Sequence, residues 1–180
     1  ITPIWTAYTP RKAKPAKPSA NAINGKVVYF PACVTRTMGT ACNDSDSRDL
    51  MTVMNALLAK AGFAAIIPAK VDDLCCGMPF NSKGYPDAAN QAVQALEAAL
   101  WQASEAGKYP ILCDTSPCTL RMLEQFSKPL KVYETAGFIA EYLLPHLTIQ
   151  RQETSIALHI TCSTRRLGLE APLRQLAKLC

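Results

Sequence analysis

Two cysteines stand side by side in Asp72-Asp73-Leu74-Cys75-Cys76-Gly77-Met78-Pro79. Adjacent Cα atoms lie ~3.8 Å apart across a trans peptide, whereas a disulfide usually spans ~4.4–6.8 Å, so these thiols do not readily close on each other. In a reduced compartment their economical use is as paired ligands for a metal or cluster. Gly77 lets the backbone turn tightly beside a bulky group, and Pro79 stiffens the exit. Two small apolar neighbours without any chemistry would look the same locally, so the remaining cysteines decide.

There are eight cysteines in 180 residues. The chain is long and apolar enough to fold without disulfide staples, so the count does not indicate a small secreted scaffold. Five of the thiols have the spacing C-x41-CC-x36-C-x4-C: Cys33, Cys75, Cys76, Cys113 and Cys118. Brought together, they would make one soft anionic centre. Zinc takes four thiolates tetrahedrally and has no redox chemistry. An iron–sulfur cluster takes the same ligands and adds electron transfer. Neither a C-x2-C pair nor a C-x2-C-x2-C run is present. The residues alone therefore indicate metal binding and leave the metal open. A thiol–disulfide enzyme is a third reading. It needs an exposed thiol of low pKa, and no lysine or histidine flanks Cys75 and Cys76 in sequence.

The elements that would gather these thiols are read from the hydropathy pattern. Val27-Val28-Tyr29-Phe30 reads as a buried strand ending at Cys33. A helix capped by Asp46 or Ser47 runs to about Ala61, with Leu50, Val53, Met54, Leu57 and Leu58 on its inner face. A second strand, Ala64 to Pro68, leads to the double cysteine. Pro86-Asp87 opens a long helix through about Ala106, with Gly107 as its stop. Ile111-Leu112 is a third strand and leads to Cys113. Pro117 starts a helix to about Phe126. A fourth strand (Leu130 to Glu134), a fourth helix (Ala136 to Leu147), a fifth strand (Ser155 to Thr161, ending at Cys162) and a last helix (Pro172 to Leu179) complete the chain. Alternation of this kind predicts an α/β fold: an open, mainly parallel sheet with helices on both faces. Ligands bind such sheets at the carboxyl ends of the strands, where these cysteines fall. Cys42 and Cys180 are off this pattern and are expected not to be ligands.

The net charge of +5 comes from the N-terminal region: Arg11, Lys12, Lys14, Lys17 and Lys26 precede residue 27, with no acid among them. The rest balances, which argues against a nucleic-acid surface. Residues 1–25, rich in Pro, Ala and Lys, read as a linker whose Trp5 and Tyr8 could dock on a body. No apolar run is long enough to span a membrane, and the start lacks the pattern of a secretory signal. Opening on Ile1 and closing on Cys180, the chain is expected to be a piece of something longer. An internal echo supports this: VVYFPACVTRTMG from Val27 and IALHITCSTRRLG from Ile156 share Cys, Thr, Arg and Gly at a constant offset. The expected division is a linker over 1–25, a first cysteine-rich domain over 26–154, and the start of a second, truncated repeat over 155–180. Its own double cysteine would fall past the last residue.

The arrangement FPAC…LCCGMP…CDTSPC…HITC resembles the cysteine-rich CCG domain of iron–sulfur oxidoreductases. These include the cysteine-rich component of heterodisulfide reductase, the iron–sulfur component of glycolate oxidase, and the C-terminal part of FAD-linked D-lactate dehydrogenases. VTRTMG and CDTSPC look most like the last of these. The resemblance implies an iron–sulfur cluster, of 4Fe-4S type, with zinc as the alternative. Cys33, Cys75, Cys76 and Cys118 match the family's ligand cysteines. Thr115 stands where the family has one more, and Cys113 is the candidate substitute. The implied function is electron transfer within a flavin-linked dehydrogenase of a 2-hydroxy acid such as D-lactate or glycolate. FAD would sit on a missing part of the parent, and this piece alone would not turn over substrate. Alternatives are a structural zinc interaction module and a heterodisulfide-type thiol reductase. The implied partners are flavin-containing and ferredoxin-like parts of the same protein or complex and a downstream electron acceptor. The implied location is cytoplasmic, with association to the inner face of the membrane through partners.

Secondary candidates have plain readings beside functional ones. His159, on the fifth strand, is expected to be a buried histidine satisfied by backbone, and His146 to sit favourably at a helix end. Asp72 and Asp73 either orient the cysteine loop or form a solvated turn. Arg36 and Arg165 recur at matching positions and either neutralise a cluster or a carboxylate, or pair at the surface. No nucleotide-binding or hydrolase motif occurs.

Overall fold

The computed structural model describes residue 6 and residues 9–15, 22–41 and 48–180. Trp5, Tyr8, Cys42 and the candidate caps Asp46 and Ser47 lie outside the described residues. In chain order the elements are β1 (Gly25–Phe30), α1 (Cys33–Thr37), α2 (Leu50–Lys60), β2 (Phe63–Ile66), a 3-10 turn (Val71–Asp73) and α3 (Met78–Ser82). There follow α4 (Pro86–Ala103), β3 (Ile111–Cys113), α5 (Ser116–Gln125), β4 (Val132–Glu134), α6 (Thr135–Phe138), α7 (Cys162–Arg166) and α8 (Glu170–Leu179).

The four strands form one parallel sheet in the order β2-β1-β3-β4. Val28 is in register with Ile66 on one side and Ile111 on the other. The chain leaves β1 for β2 on one side, then crosses back to place β3 on the other. The carboxyl ends of β1 and β3 therefore flank a topological switch point, the place where ligands bind in open α/β sheets.

Alternation along the strands explains why both faces are covered. Val27, Tyr29 and Leu112 face one layer, packing with Met51, Met54 and Leu58 of α2 and with Phe138 and Leu143. Val28, Phe30, Ile111, Cys113 and Val132 face the other, against Leu96 and Leu100 of α4 and Met122 of α5. A strand buried on both faces reads as an unbroken apolar run, as Val27 to Phe30 does.

Several elements depart from the pattern read in sequence. Helix α2 starts at Leu50 and buries Met51, Met54, Asn55 and Leu58, leaving Leu50 and Val53 exposed. Its inner face is set by Met51, Met54 and Leu58 in the core, and Asn55 lies on that face with its side-chain amide donating to Met51 O. Asp49 is the cap, accepting from Thr52 N at 2.8 Å. Its other carboxylate oxygen accepts from Lys14 N at 3.0 Å. Burial raises the Asp49 pKa, but these amides outweigh it and hold the carboxyl below its usual range. Asp49→Ala is expected to cost about 2 kcal/mol in urea unfolding, while Asp49→Asn, which keeps an acceptor, costs a small part of that. Equal losses would mean the cap contributes nothing.

The lysine-rich stretch is partly docked on the body. Gly39 N donates to Arg11 O at 2.7 Å, Ala13 N donates to Arg36 O at 3.2 Å, and Ala13 is buried. Helix α4 stops at Ala103, short of Gly107, because Glu105, Ala106 and Gly107 all have positive φ. The expected helix from Ala136 to Leu147 is broken up: α6 passes into a π-helical segment, Ile139–Leu143, and then a 3-10 turn, Leu144–His146. Pro145 lacks the N–H that a continuing α-helix would need.

The largest correction concerns Ser155 to Thr161. This segment joins no strand, and Ile156 is 60% exposed. The helices after it fix its position. Ser116 Oγ lies 2.8 Å from Ser163 Oγ and 3.3 Å from Thr161 Oγ1, holding α7 against α5, while α8 packs on α6. That docking carries the segment off the sheet, despite its alternating apolar residues. The echo survives in local form, since Cys33 and Cys162 each open a five-residue helix.

Candidate metal centre

The exits of β1 and β3 are stapled by a carboxylate. Asp114 accepts from Tyr29 Oη at 2.8 Å, from Ala32 N at 2.9 Å and from Thr115 Oγ1 at 3.2 Å. Burial first and Asp114 second push the Tyr29 phenol far up, so it remains a donor. This staple ties the residue before Cys33, the first of α1, to the residue after Cys113, the last of β3.

The double-cysteine loop enters from the third side, after the 3-10 turn. Gly77 has φ +79°, a left-handed conformation, and a Cβ there would stand 2.3 Å from Ala89 O on α4. Only glycine lets the loop come this close to α4. Gly77 N donates to Cys75 Sγ at 3.4 Å. Two buried arginines grip the loop: Arg36 Nη2 donates to Leu74 O at 2.5 Å and Arg121 Nε to Cys76 O at 2.9 Å. Arg36 also lies over the Phe30 ring.

The five thiols named from the sequence meet at this edge of the sheet. Cys76 Sγ is 3.1 Å from Cys118 Sγ, in the first turn of α5. Cys75 is close enough to interact with both Cys33 and Cys76, and Cys118 with Cys113 in turn. Cys113 Sγ also lies 3.7 Å from Thr115 O, so its thiol stands close to the position where Thr115 departs from the pattern. Cys76, Cys113 and Cys118 are buried, while Cys33 and Cys75 are half-buried. The sulfurs form a series. Among the described residues, no three His, Cys, Asp or Glu side chains converge as a single-ion site requires.

Crowding thiols in a buried edge favours their neutral form. Cys76 is pushed up to about 11, by Cys118 first. Cys118 is raised by Cys113, Cys75 by Cys76, and Cys33 by burial and then Cys75. The set is thus poor as a nucleophile near neutral pH but rich in soft donors, each of which gives up a proton when it binds a metal. The surroundings suit an anionic occupant. Nε and Nη1 of Arg36 and Nη2 of Arg121 are buried without a hydrogen-bond partner.

Other candidates lie elsewhere. Cys162 and Cys180 are exposed. His159 is exposed rather than buried, because its segment is off the sheet, and His146 packs edge-on to Phe63. Asp72 is exposed and pairs with Lys12 at 2.9 Å. Arg36 is buried against the loop, with its Nη1 3.9 Å from the exposed Asp72, whereas Arg165 is 70% exposed and reaches Glu170. Sequence reading missed Asp114 and Arg121. Nothing local marks Asp114. Arg121 had a signal, because it follows Cys118 by the interval that separates Arg36 from Cys33.

Comparison with known families gives one match: the model of the cysteine-rich domain CCG aligns with residues 27–123, just over half of the chain, and takes in all five clustered cysteines. Among curated proteins and among solved structures, none matches the chain.

Proposed function

Because this chain belongs to the CCG cysteine-rich domain family, we propose that it holds an iron–sulfur cluster, of 4Fe-4S type, and serves as an electron-transfer part of an oxidoreductase. Cys33, Cys75, Cys76 and Cys118 would be the ligands, with Cys113 supplying a fifth thiol where Thr115 stands. The observation that carries this reading is the contact series of five thiols at the carboxyl edge of the sheet. A cluster bound there supplies reversible one-electron transfer. The chain's own residues position and insulate it. Asp114 fixes the spacing of the two strand exits, Gly77 lets the loop sit against α4, and Phe30 and Met122 keep the inner side dry.

The parent reaction we infer is flavin-linked oxidation of a 2-hydroxy acid such as D-lactate or glycolate. This rests on the likeness of VTRTMG and CDTSPC to that type of dehydrogenase. Flavin and ferredoxin-like parts of the same protein or complex would be the electron donors, in the cytoplasm. Residues 155–180 would begin a second unit of the same design, since α7 repeats the Cys-first helix of α1. No helix among the described residues is long and apolar enough to cross a membrane.

Anaerobic reconstitution with iron and sulfide tests the proposal. Iron uptake with broad visible absorbance is expected, together with proton release that approaches one per ligating thiol. Both are expected to vanish in a Cys75→Ser, Cys76→Ser double variant that remains folded. Stoichiometric zinc with no iron would replace the reading with a structural zinc module.

A further inference from the structure

Three cysteines in this chain are followed by an arginine at the same interval: Cys33 by Arg36, Cys118 by Arg121 and Cys162 by Arg165. Residues three apart on a helix share a face, so each arginine lies on the side its cysteine occupies. The first two pairs belong to the thiol centre, and there the arginines are 4% and 5% exposed. They come from different helices and grip the same loop, one at Leu74 O and the other at Cys76 O.

A buried guanidinium normally finds its charge matched and its donors used. Here the donors are only partly used, and the charge is matched weakly at Arg36 and by no carboxylate at Arg121 among the described residues. Two nitrogens of Arg36 and one of Arg121 have no hydrogen-bond partner among the described residues. The nearest carboxylate to Arg36 is Asp72, at 3.9 Å, which is exposed and already shared with Lys12. Arg121 has no carboxylate partner among the described residues. Arg121, with no carboxylate partner among the described residues, and Arg36, matched only by an exposed and shared carboxylate, therefore hold positive charge against the loop that carries Cys75 and Cys76.

We propose that Arg36 and Arg121 are the counter-charges of the loaded centre and set its reduction potential. This inference rests on the iron–sulfur reading above. One-electron reduction makes the centre one charge more negative, with no bond made or broken. A nearby fixed positive charge favours that reduced form. Removing either arginine's charge should make the centre harder to reduce, whereas an arginine that only braced the loop would affect folding and leave charge dependence absent.

The test uses the whole chain, reconstituted anaerobically and titrated with dithionite through mediators, with visible absorbance and electron paramagnetic resonance as readouts. Arg36→Met and Arg121→Met are each expected to lower the ratio of reduced to oxidised centre about tenfold at fixed poise, a shift of about 59 mV for one electron. Arg36→Lys and Arg121→Lys, which keep the charge and lose the fork, are expected to stay within about twofold of the parent. If a methionine variant does not fold, the glutamine variant (Arg36→Gln or Arg121→Gln), which keeps polar contacts and loses the charge, takes its place: a potential lowered as for methionine supports the inference, and a parent-like one overturns it. Lysine and methionine variants shifting alike, or neither shifting, also overturn it and leave the cluster reading intact. A parent chain that takes up no iron removes both.

Discussion

Gly77→Ala is expected to unfold the site, costing about 4 kcal/mol or more in urea unfolding and abolishing iron uptake. Two penalties combine. The left-handed conformation costs alanine about 1 kcal/mol relative to glycine. The larger part is steric, because the new Cβ would meet Ala89 O at 2.3 Å and Ala89 C and Cα at 3.0 Å. These are backbone atoms of α4, and Ala89 is fully buried, so the helix cannot yield locally. The loop must move instead, carrying Cys75 and Cys76 away from Cys33 and Cys118. Gly84 provides the control, with φ +81° and nothing within 4 Å of an added Cβ. Gly84→Ala should show only the conformational part, about 1 kcal/mol. Equal losses at the two glycines would show that close approach to α4 is not what Gly77 provides.

The reduced, metal-free protein should lose stability steeply as pH rises above about 8.5, and the metal-loaded protein should not. In the unfolded chain the thiols titrate near 8.5. In the fold, Cys33, Cys75, Cys76 and Cys118 are all raised. Below the unfolded value both states are protonated and stability is complete. Between the two values the unfolded chain has shed protons that the folded one still holds, so stability falls with pH. Cys76, raised to about 11, alone accounts for about 3 kcal/mol by the time its folded pKa is passed. The other thiols steepen the fall. In the loaded form the ligands are already thiolates, which removes the dependence. Urea unfolding from pH 7 to 10, with reductant present, measures it. A flat profile for the metal-free form would mean that the thiols are not packed against one another as described.

The order of strands and helices was legible because the strongest signals were local. Val27 to Phe30 is an unbroken apolar run, and Pro86 and Pro117 mark helix starts. The convergence of the thiols was legible for a topological reason: parallel strands deliver the loops at their carboxyl ends to one edge. The features that escaped the sequence are non-local. The inner face of α2 could be drawn through Leu50 and Val53 or through Met51 and Asn55. The choice depends on how Met51, Met54 and Leu58 pack against Val27, Tyr29 and Phe138, with Asn55 carried inward and its amide bonded to Met51 O, which no hydropathy pattern encodes. Ile156, Leu158 and Ile160 alternate as a strand would, but pairing depends on where the Ser116–Ser163 contact holds the adjoining turn. Arg121 was passed over because a charged residue on a helix is usually solvated, and only the position of Cys76 O makes it an interior residue.

The parallel sheet also fixes when the centre can exist. Cys33 and Cys113 reach the same edge of the sheet only once β1 has paired with β3, although they are far apart in the chain. The double-cysteine loop is set in place only by β2 and α4 together. Closing loops of that length precedes any reward from the contacts they bring, which slows such pairings. During synthesis the five thiols therefore emerge in three groups, Cys33, then the Cys75–Cys76 pair, then Cys113 and Cys118, and no group alone holds the full ligand set. The expected order of assembly is therefore the sheet first, with the metal arriving as a guest of the finished fold. That is the reverse of small zinc domains, in which the ion itself brings the chain together.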